Sequence, residues 1–345
     1  MHTTIQLSFL DPVEAPPPEP FDIHRYDRYL VAFSGGKDSI AAFLSLRDAG
    51  VPREKIELWH HDIDGREGST LMDWPCIPAY CTAFAAAFGV PLYRSWRVGG
   101  FEREMLRDQT PTAPVAFERL DGTTDQAGGE SAKVGTRRKF PQQSADLSVR
   151  WCSAYLKIDV MAAAIRNQPR FEGQRTLVVT GERAAESPCR AKYATLEPHR
   201  TDKRASTKLD RFIDHHRPIH ARSEAEVWAL LERYRINPPP PYRLGWGRVS
   251  CVGCIFGSDN QWASLRVVNP AQFGQIATYE EAFGWTIRRD GSITAAADRG
   301  TPYASINRHD LAAALSITWQ ELIILPTDVL WTLPAGAFGE SAGPP

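Results

Sequence analysis

The order of apolar and polar positions divides the chain into short strand-like and helix-like stretches. Tyr29-Leu30-Val31-Ala32-Phe33 is an uninterrupted apolar run that ends at Ser34-Gly35-Gly36, the pattern of a strand buried on both faces. Ile40, Phe43 and Leu44 follow at helical spacing. Ile56 to His60 predicts a second strand, Cys81 to Phe88 a helix stopped by Gly89, and Val90 to Tyr93 a third strand. Further on, Trp151 to Ile165 has helical spacing and Thr176 to Thr180 reads as another buried strand. Ser223 to Tyr234 reads as a helix, with Ser223 and Glu226 placed to cap it reciprocally. Strands separated by helices imply right-handed parallel βαβ units, hence an α/β fold with a doubly wound, mostly parallel sheet.

Composition shifts outline the organisation. Residues 1–25 carry Pro16-Pro17-Pro18 with acidic neighbours and read as an extended tail. Residues 26–220 hold the strand and helix alternation, interrupted at 108–148 by a Gly-, Thr-, Gln- and Pro-rich stretch that reads as a long lid-like loop. Pro238 to Pro241 force an extended connector within a C-terminal helical region, 221–334, that carries Cys251-Val252-Gly253-Cys254. Residues 335–345 read as a disordered tail.

The turn after the first strand has a chemical meaning. A helix N-terminus presents unpaired N–H groups and partial positive charge, so it favours an anion. Gly35 and Gly36 let the backbone approach one, while Ser34, Ser39 and Lys37 add donors. Asp38 beside a phosphate needs either a divalent cation between them or a role as helix cap. The spacing differs from the kinase-type phosphate loop, because the glycines are adjacent and Lys37 precedes Asp38. The expectation is a pyrophosphate cradle with Mg²⁺, and the alternative is an ordinary Gly-Gly turn capped by Asp38.

With 345 residues, 43% hydrophobic and 23% charged, the chain can form a sizeable core. The net charge of −1 does not signal nucleic-acid binding, although Arg137-Arg138-Lys139, the run Arg200 to Arg211 and His215-His216-Arg217 are basic clusters. A solvated basic face is the other reading of them. No apolar stretch is long enough to span a membrane and no secretory signal is visible, so a cytoplasmic location is expected. Six cysteines in a reducing compartment point to metal ligands, reactive thiols or buried small apolar residues rather than disulfides.

Three motifs carry a family resemblance. Ser34-Gly35-Gly36-Lys37-Asp38-Ser39 resembles the SGGxDS loop of the PP-loop ATP pyrophosphatases. That resemblance implies an adenine nucleotide alpha-hydrolase-like fold and cleavage of ATP between its α and β phosphates. Gly181-Glu182-Arg183-Ala184-Ala185-Glu186-Ser187-Pro188-Cys189-Arg190 resembles the G-x-R-x-x-E-S-x-x-R stretch of the phosphoadenylyl-sulfate (PAPS) reductase branch. It implies that Gly181, Glu186 and Ser187 lie at the nucleotide and that Arg183 and Arg190 neutralise phosphate. The end of the second strand should meet the adenosine, at His60 and Asp62.

Cys152 to Ile158 resembles the C-x-x-x-x-K-I helix of the same branch, and Cys251 with Cys254 resembles its second cysteine pair. Three thiolates thus match a 4Fe-4S site, with Zn²⁺ as the alternative metal. Either Cys76, Cys81 or Cys189 completes the set, or one iron stays open to hold a hydrosulfide. PAPS reductases carry a catalytic cysteine near the C-terminus, and no cysteine follows Cys254.

The combination is similar to the sulfur-transfer subunit of DNA phosphorothioation systems. That resemblance implies adenylylation of a backbone oxygen, sulfur delivered by a cysteine desulfurase partner, and other modification-complex subunits that present DNA. Thiolation of tRNA, sulfonucleotide reduction and a non-catalytic nucleotide- and metal-binding assembly module are the alternatives.

Overall fold

The computed structural model describes residues 21–129, 133–144, 146–249 and 251–340. Its centre is one eight-stranded sheet built from β1 (Arg28–Ala32), β2 (Ile56–Asp62), β3 (Leu92–Arg97), β4 (Val115–Glu118), β5 (Thr124–Ala127), β6 (Arg175–Val179), β7 (Leu196–Pro198) and β8 (Phe212–His216). The spatial order is β5-β4-β3-β2-β1-β6-β8-β7. The five strands from β3 through β2, β1 and β6 to β8 are parallel, and an antiparallel pair closes each edge. Strand order reverses about β1, flanked by β2 on one side and β6 on the other, so the crevice at its carboxyl end is the expected ligand position. Helix α1 (Lys37–Asp48) leaves β1, and α2 (Ile77–Phe88) connects β2 to β3 and ends at Gly89 in the left-handed conformation.

Several expectations change. The stretch 108–148 is not a loop throughout, because β4 and β5 form a hairpin that extends the sheet. Val115, Ala116 and Phe117 are buried there, but an apolar run this short gives no readable period. The run Arg200 to Arg211 leads into β8, whose Asp214 is buried and accepts from the Tyr26 hydroxyl at 2.7 Å and from Arg25 and Arg204. Arg217 pairs with Glu182 at 2.6 Å and Glu197 at 2.7 Å, while burial pushes His215 down to about 3. The half-buried Arg137 lies against the rings of Trp151 and Tyr155 and pairs with Glu104 at 3.2 Å. Arg137 and Arg217 are thus engaged within the protein's own structure, whereas Arg138, Lys139, Arg200, Lys203 and Lys208 of the same clusters are exposed.

Residues 26–220 and 221–334 share one apolar cluster, in which Phe43 and Leu44 of α1 join Val227, Leu231, Trp246 and Trp262. The first six residues of the expected C-terminal tail are placed: Gly336 donates its N–H to Tyr242 O at 2.7 Å, and Glu340 accepts from Asn260 at 2.7 Å. Residues 341–345 and residues 1–20 of the N-terminal tail lie outside the described residues. Among the described residues no helix is long and apolar enough to cross a membrane.

Candidate active site

The loop after β1 is tightly built. Gly35 has φ 75°, and a Cβ there would meet Cys81 Sγ at 3.1 Å. A Cβ on Gly36 would meet Val249 O at 2.9 Å, so a later segment of chain lies directly against the turn. Gly36 is the N-cap of α1 and no side chain caps this helix, which removes the capping alternative for Asp38. Ser39 Oγ donates to Gly36 O at 2.9 Å and accepts the Ser34 N–H at 3.3 Å.

Asp38 instead accepts from Arg183 Nε at 2.7 Å, with Lys37 Nζ at 3.5 Å. Burial pushes the Asp38 carboxyl up, but Lys37, Arg183 and Arg248 outweigh burial and hold it below the ordinary range. This carboxylate is therefore ionised and electrostatically fixed at neutral pH.

Lys37 departs from expectation. It is only 2% exposed, and its Nζ donates to Gly247 O at 3.1 Å and lies 3.3 Å from Glu224. Its backbone N–H donates to the Tyr242 hydroxyl at 2.8 Å. Burial opposes its charge, yet Tyr242, Asp38 and Glu224 outweigh burial and keep its pKa raised. Two donors expected for an anion are thus already engaged by a roof formed from residues 242–249.

The second motif follows β6. A Cβ on Gly181 would meet Asp38 O at 2.4 Å, so this glycine is needed for contact with the first turn of α1 rather than with a ligand. Arg183 is buried, and its N–H donates to Glu186 Oε2 at 2.9 Å. Glu186 also pairs with Arg190 and lies 3.8 Å from Arg248. Ser187 Oγ accepts the Arg190 N–H at 3.2 Å. Gly181, Arg183, Glu186, Ser187 and Arg190 are therefore held together, and Arg183 joins them to the loop of residues 34–39.

His60 and Asp62 end β2 but are turned inward. His60 Nδ1 lies 2.9 Å from Phe33 O and 3.5 Å from Cys81 Sγ, while its Nε2 lies 3.3 Å from Asp62. Burial opposes protonation of His60, but Cys81 and Asp62 outweigh it and hold the pKa well above the ordinary value. His60 thus holds the backbone just before the loop, and Asp62 holds His60.

Cys152 is the middle residue of a short helix, Trp151–Ser153, that runs into a π-helical turn at Ala154–Ile158, a feature frequent at functional sites. Burial lifts the Cys152 thiol, Lys157 pulls it back, and Cys254 adds to the rise. Burial likewise lifts Cys251 strongly against Lys157, with Asp73, Cys254 and Cys152 contributing. The structure thus brings the three cysteines and Lys157 into one electrostatic neighbourhood, and Arg248, acted on by Cys254, Glu186 and Asp38, links it to the loop. As placed, the thiols do not close on an ion: among the described residues no group of three His, Cys, Asp or Glu side chains is arranged to hold a metal. The three fourth-ligand candidates have other surroundings. Cys76 and Cys81 are buried on or beside α2, and Cys189 is exposed.

Arg150, Tyr242, Arg248 and Glu224 border the site and were not singled out as site residues in the sequence, while Lys157 entered only as the Lys of the Cys152 to Ile158 motif. Arg248, three residues before Cys251, and Arg150, two before Cys152, had a usable signal in their closeness to the cysteines.

Comparison with known proteins bears on this geometry. Residues 126–256 match the phosphoadenosine phosphosulfate reductase domain. Cys152, Arg183, Arg190, Cys251 and Cys254 fall inside the matched segment, and the loop of residues 34–39 precedes it. The match supports the PP-loop, adenine nucleotide alpha-hydrolase superfamily. An uncharacterized 37.8 kDa protein of Escherichia phage 186 is 26% identical over 278 residues, 76% of this chain and 77% of its own length.

Two solved structures are distant likenesses that carry no argument about function. The FMN adenylyltransferase of Candida glabrata, solved with FMN and the ATP analogue AMPCPP, is 11% identical with a TM-score of 0.35 over 66% of this chain. The chain spans 56% of that protein. The PAPS reductase of Candida auris, a phosphate complex, is 14% identical with a TM-score of 0.34, covering 64% of this chain and 78% of its own.

Proposed function

We propose that this protein is an ATP pyrophosphatase that adenylylates an acceptor oxygen and prepares it for replacement by sulfur, the acceptor being the DNA backbone. The observation that carries the reading is the 2.7 Å bond from Arg183 to Asp38. It ties the nucleotide loop to the arginine-bearing stretch that leads, through Glu186 and Arg248, to the cysteines.

In this reading the turn of residues 34–39 and the N-terminus of α1 hold the pyrophosphate portion of ATP. Asp38 would hold a Mg²⁺ that neutralises phosphate charge, and the half-buried, ionised state of this carboxylate fits that role. Arg183 and Arg190 stabilise charge that grows as the acceptor oxygen attacks the α-phosphorus and pyrophosphate leaves. The adenylylated acceptor then has AMP as its leaving group. Sulfur supplied as a persulfide by a cysteine desulfurase attacks the acceptor phosphorus and expels AMP. A second thiol must next cleave the S–S bond, forming a disulfide and leaving sulfur on phosphorus. Cys152, Cys251 and Cys254 are the thiols available. A 4Fe-4S cluster or Zn²⁺ would be held by the same three, and no step here depends on it.

The test is release of AMP and pyrophosphate from Mg·ATP, assayed with the purified protein, DNA and desulfurase, against Asp38→Asn. Loss of about 2–4 kcal/mol of transition-state stabilisation, on the order of a hundredfold in rate, is expected for the variant. Formation of ADP and phosphate would contradict the reading, and EDTA should abolish release.

The domain match favours a second reading, sulfonucleotide reduction, in which one of the three thiols attacks a sulfonyl sulfur. Sulfite release from adenylyl sulfate or its 3′-phosphate, with no pyrophosphate from ATP, would select it.

A further inference from the structure

Arg150 is placed where a guanidinium needs partners, and two of its three nitrogens find none among the described residues. It is 9% exposed, and its Nε and Nη1 are fully covered without a hydrogen-bond acceptor among the described residues. A buried charge without partners costs several kcal/mol unless something neutralises it.

Its position is fixed from both sides. The Arg150 N–H donates to Asp146 O at 2.9 Å, and the adjoining Trp151 is clamped between Phe101 (ring centroids 4.9 Å apart) and Arg137 (4.3 Å). The charged groups that act on Arg150 include Arg190 and Arg248, with the Cys152 thiol and Tyr193 as the groups of opposite sign. Arg190 and Arg248 share one carboxylate, Glu186. Glu186 is thus already shared between Arg190 and Arg248, Arg248 also feels Asp38, and neither carboxylate is paired with Arg150 among the described residues.

We infer that Arg150, with Arg190 and Arg248, forms a second anion subsite beside Cys152, separate from the loop of residues 34–39. Its ligand is a tetrahedral oxyanion, phosphate or sulfate, because the planar fork of a guanidinium binds two oxygens of such a group at once. A substrate that fills it carries an anionic group in addition to the pyrophosphate portion held by the loop. This deepens the proposed function, since it places the acceptor's phosphate, or a sulfonucleotide's own anion, next to the thiols.

The experiment is calorimetric titration of sulfate into wild type, Arg150→Gln, Arg150→Lys and the remote control Arg119→Gln. Each is tested with and without saturating AMPCPP to occupy the loop. One sulfate per chain is expected in wild type and Arg119→Gln with AMPCPP bound, weakened at least about tenfold by Arg150→Gln and less by Arg150→Lys. Because two of the guanidinium nitrogens have no partner among the described residues, Arg150→Gln should melt at or above the wild-type temperature. Equal sulfate binding by wild type and Arg150→Gln overturns the subsite, as does no sulfate binding by wild type. Loss of binding with a melting temperature lowered by several degrees overturns it too, because Arg150 would then be a structural residue.

Sulfate binding that depends on Arg150 in a protein that fails to bind AMPCPP would sink the ATP reading and keep the subsite. Displacement of sulfate by a short single-stranded oligonucleotide assigns the site to a phosphodiester, and displacement by adenosine 3′,5′-bisphosphate assigns it to a sulfonucleotide.

Discussion

Gly181→Ala is the sharpest test of how the nucleotide loop and the arginine-bearing stretch are joined. The added methyl would lie 2.4 Å from Asp38 O, 2.5 Å from its carbonyl carbon and 2.9 Å from Ser39 N, all backbone atoms at the start of α1. Ordinary contact begins at 3.4 Å, so the end of β6 and the first turn of α1 must separate by about 1 Å. No flexible side chain can absorb that displacement. Overpacking of this kind costs about 1–3 kcal/mol of stability. The larger effect falls on chemistry, because Arg183 reaches Asp38 across this contact and a 1 Å misplacement costs on the order of a hundredfold in rate.

The assay is kcat/KM for AMP formation together with thermal melting, with Gly274→Ala as the control. Gly274 lies in a helix and a Cβ there meets nothing within 4 Å, so that change should be neutral or stabilising by up to about 1 kcal/mol. Wild-type turnover and melting in Gly181→Ala would refute the reasoning.

Two further predictions concern the roof and the core. Tyr242→Phe removes the acceptor that holds the Lys37 N–H and frees that donor for phosphate. Pyrophosphate affinity, read by calorimetry, should rise about fivefold, the equivalent of roughly 1 kcal/mol, and a fall would show that the hydroxyl itself binds phosphate. Asp64 accepts the Met72 and Asp73 N–H groups at 2.9 and 2.8 Å, yet burial first and the nearby Asp73 second raise its carboxyl to about 7. The folded chain therefore binds a proton that the unfolded chain releases near pH 4, and stability should decline by a few kcal/mol as pH rises from about 4 to 7. Asp64→Asn should flatten that part of the melting profile, and an unchanged slope would count against the protonated carboxyl.

The parts of the site legible in the sequence were those with a local signature. Ser34 to Ser39 follow an apolar strand and open a helix, so both the turn and its position could be read directly. Gly181 to Arg190 were legible as a cluster, although Gly181 serves contact with Asp38 rather than with a ligand. The strands β4 and β8 escaped notice because a three-residue apolar run and a Phe-Ile-Asp-His-His stretch carry no two-residue period. The inward turn of Lys37 was illegible for a different reason. Its partners Glu224, Tyr242 and Gly247 are about two hundred residues away in sequence, and no local pattern records such a contact. Arg150 looked like one more basic residue, since the lack of partners at two of its nitrogens is a tertiary property.

That long-range roof has a consequence for how the chain reaches its working form. Lys37 is held by groups 205 and 210 positions downstream, and Tyr242 is in turn held by Gly336. Closing such distant contacts is slow relative to local structure, so the nucleotide loop should acquire its final shape late in folding. During synthesis the turn would emerge from the ribosome long before its cover does. A protease cut between residues 249 and 336 should therefore loosen the loop while leaving the sheet paired, and bound nucleotide should protect that same interval from cleavage.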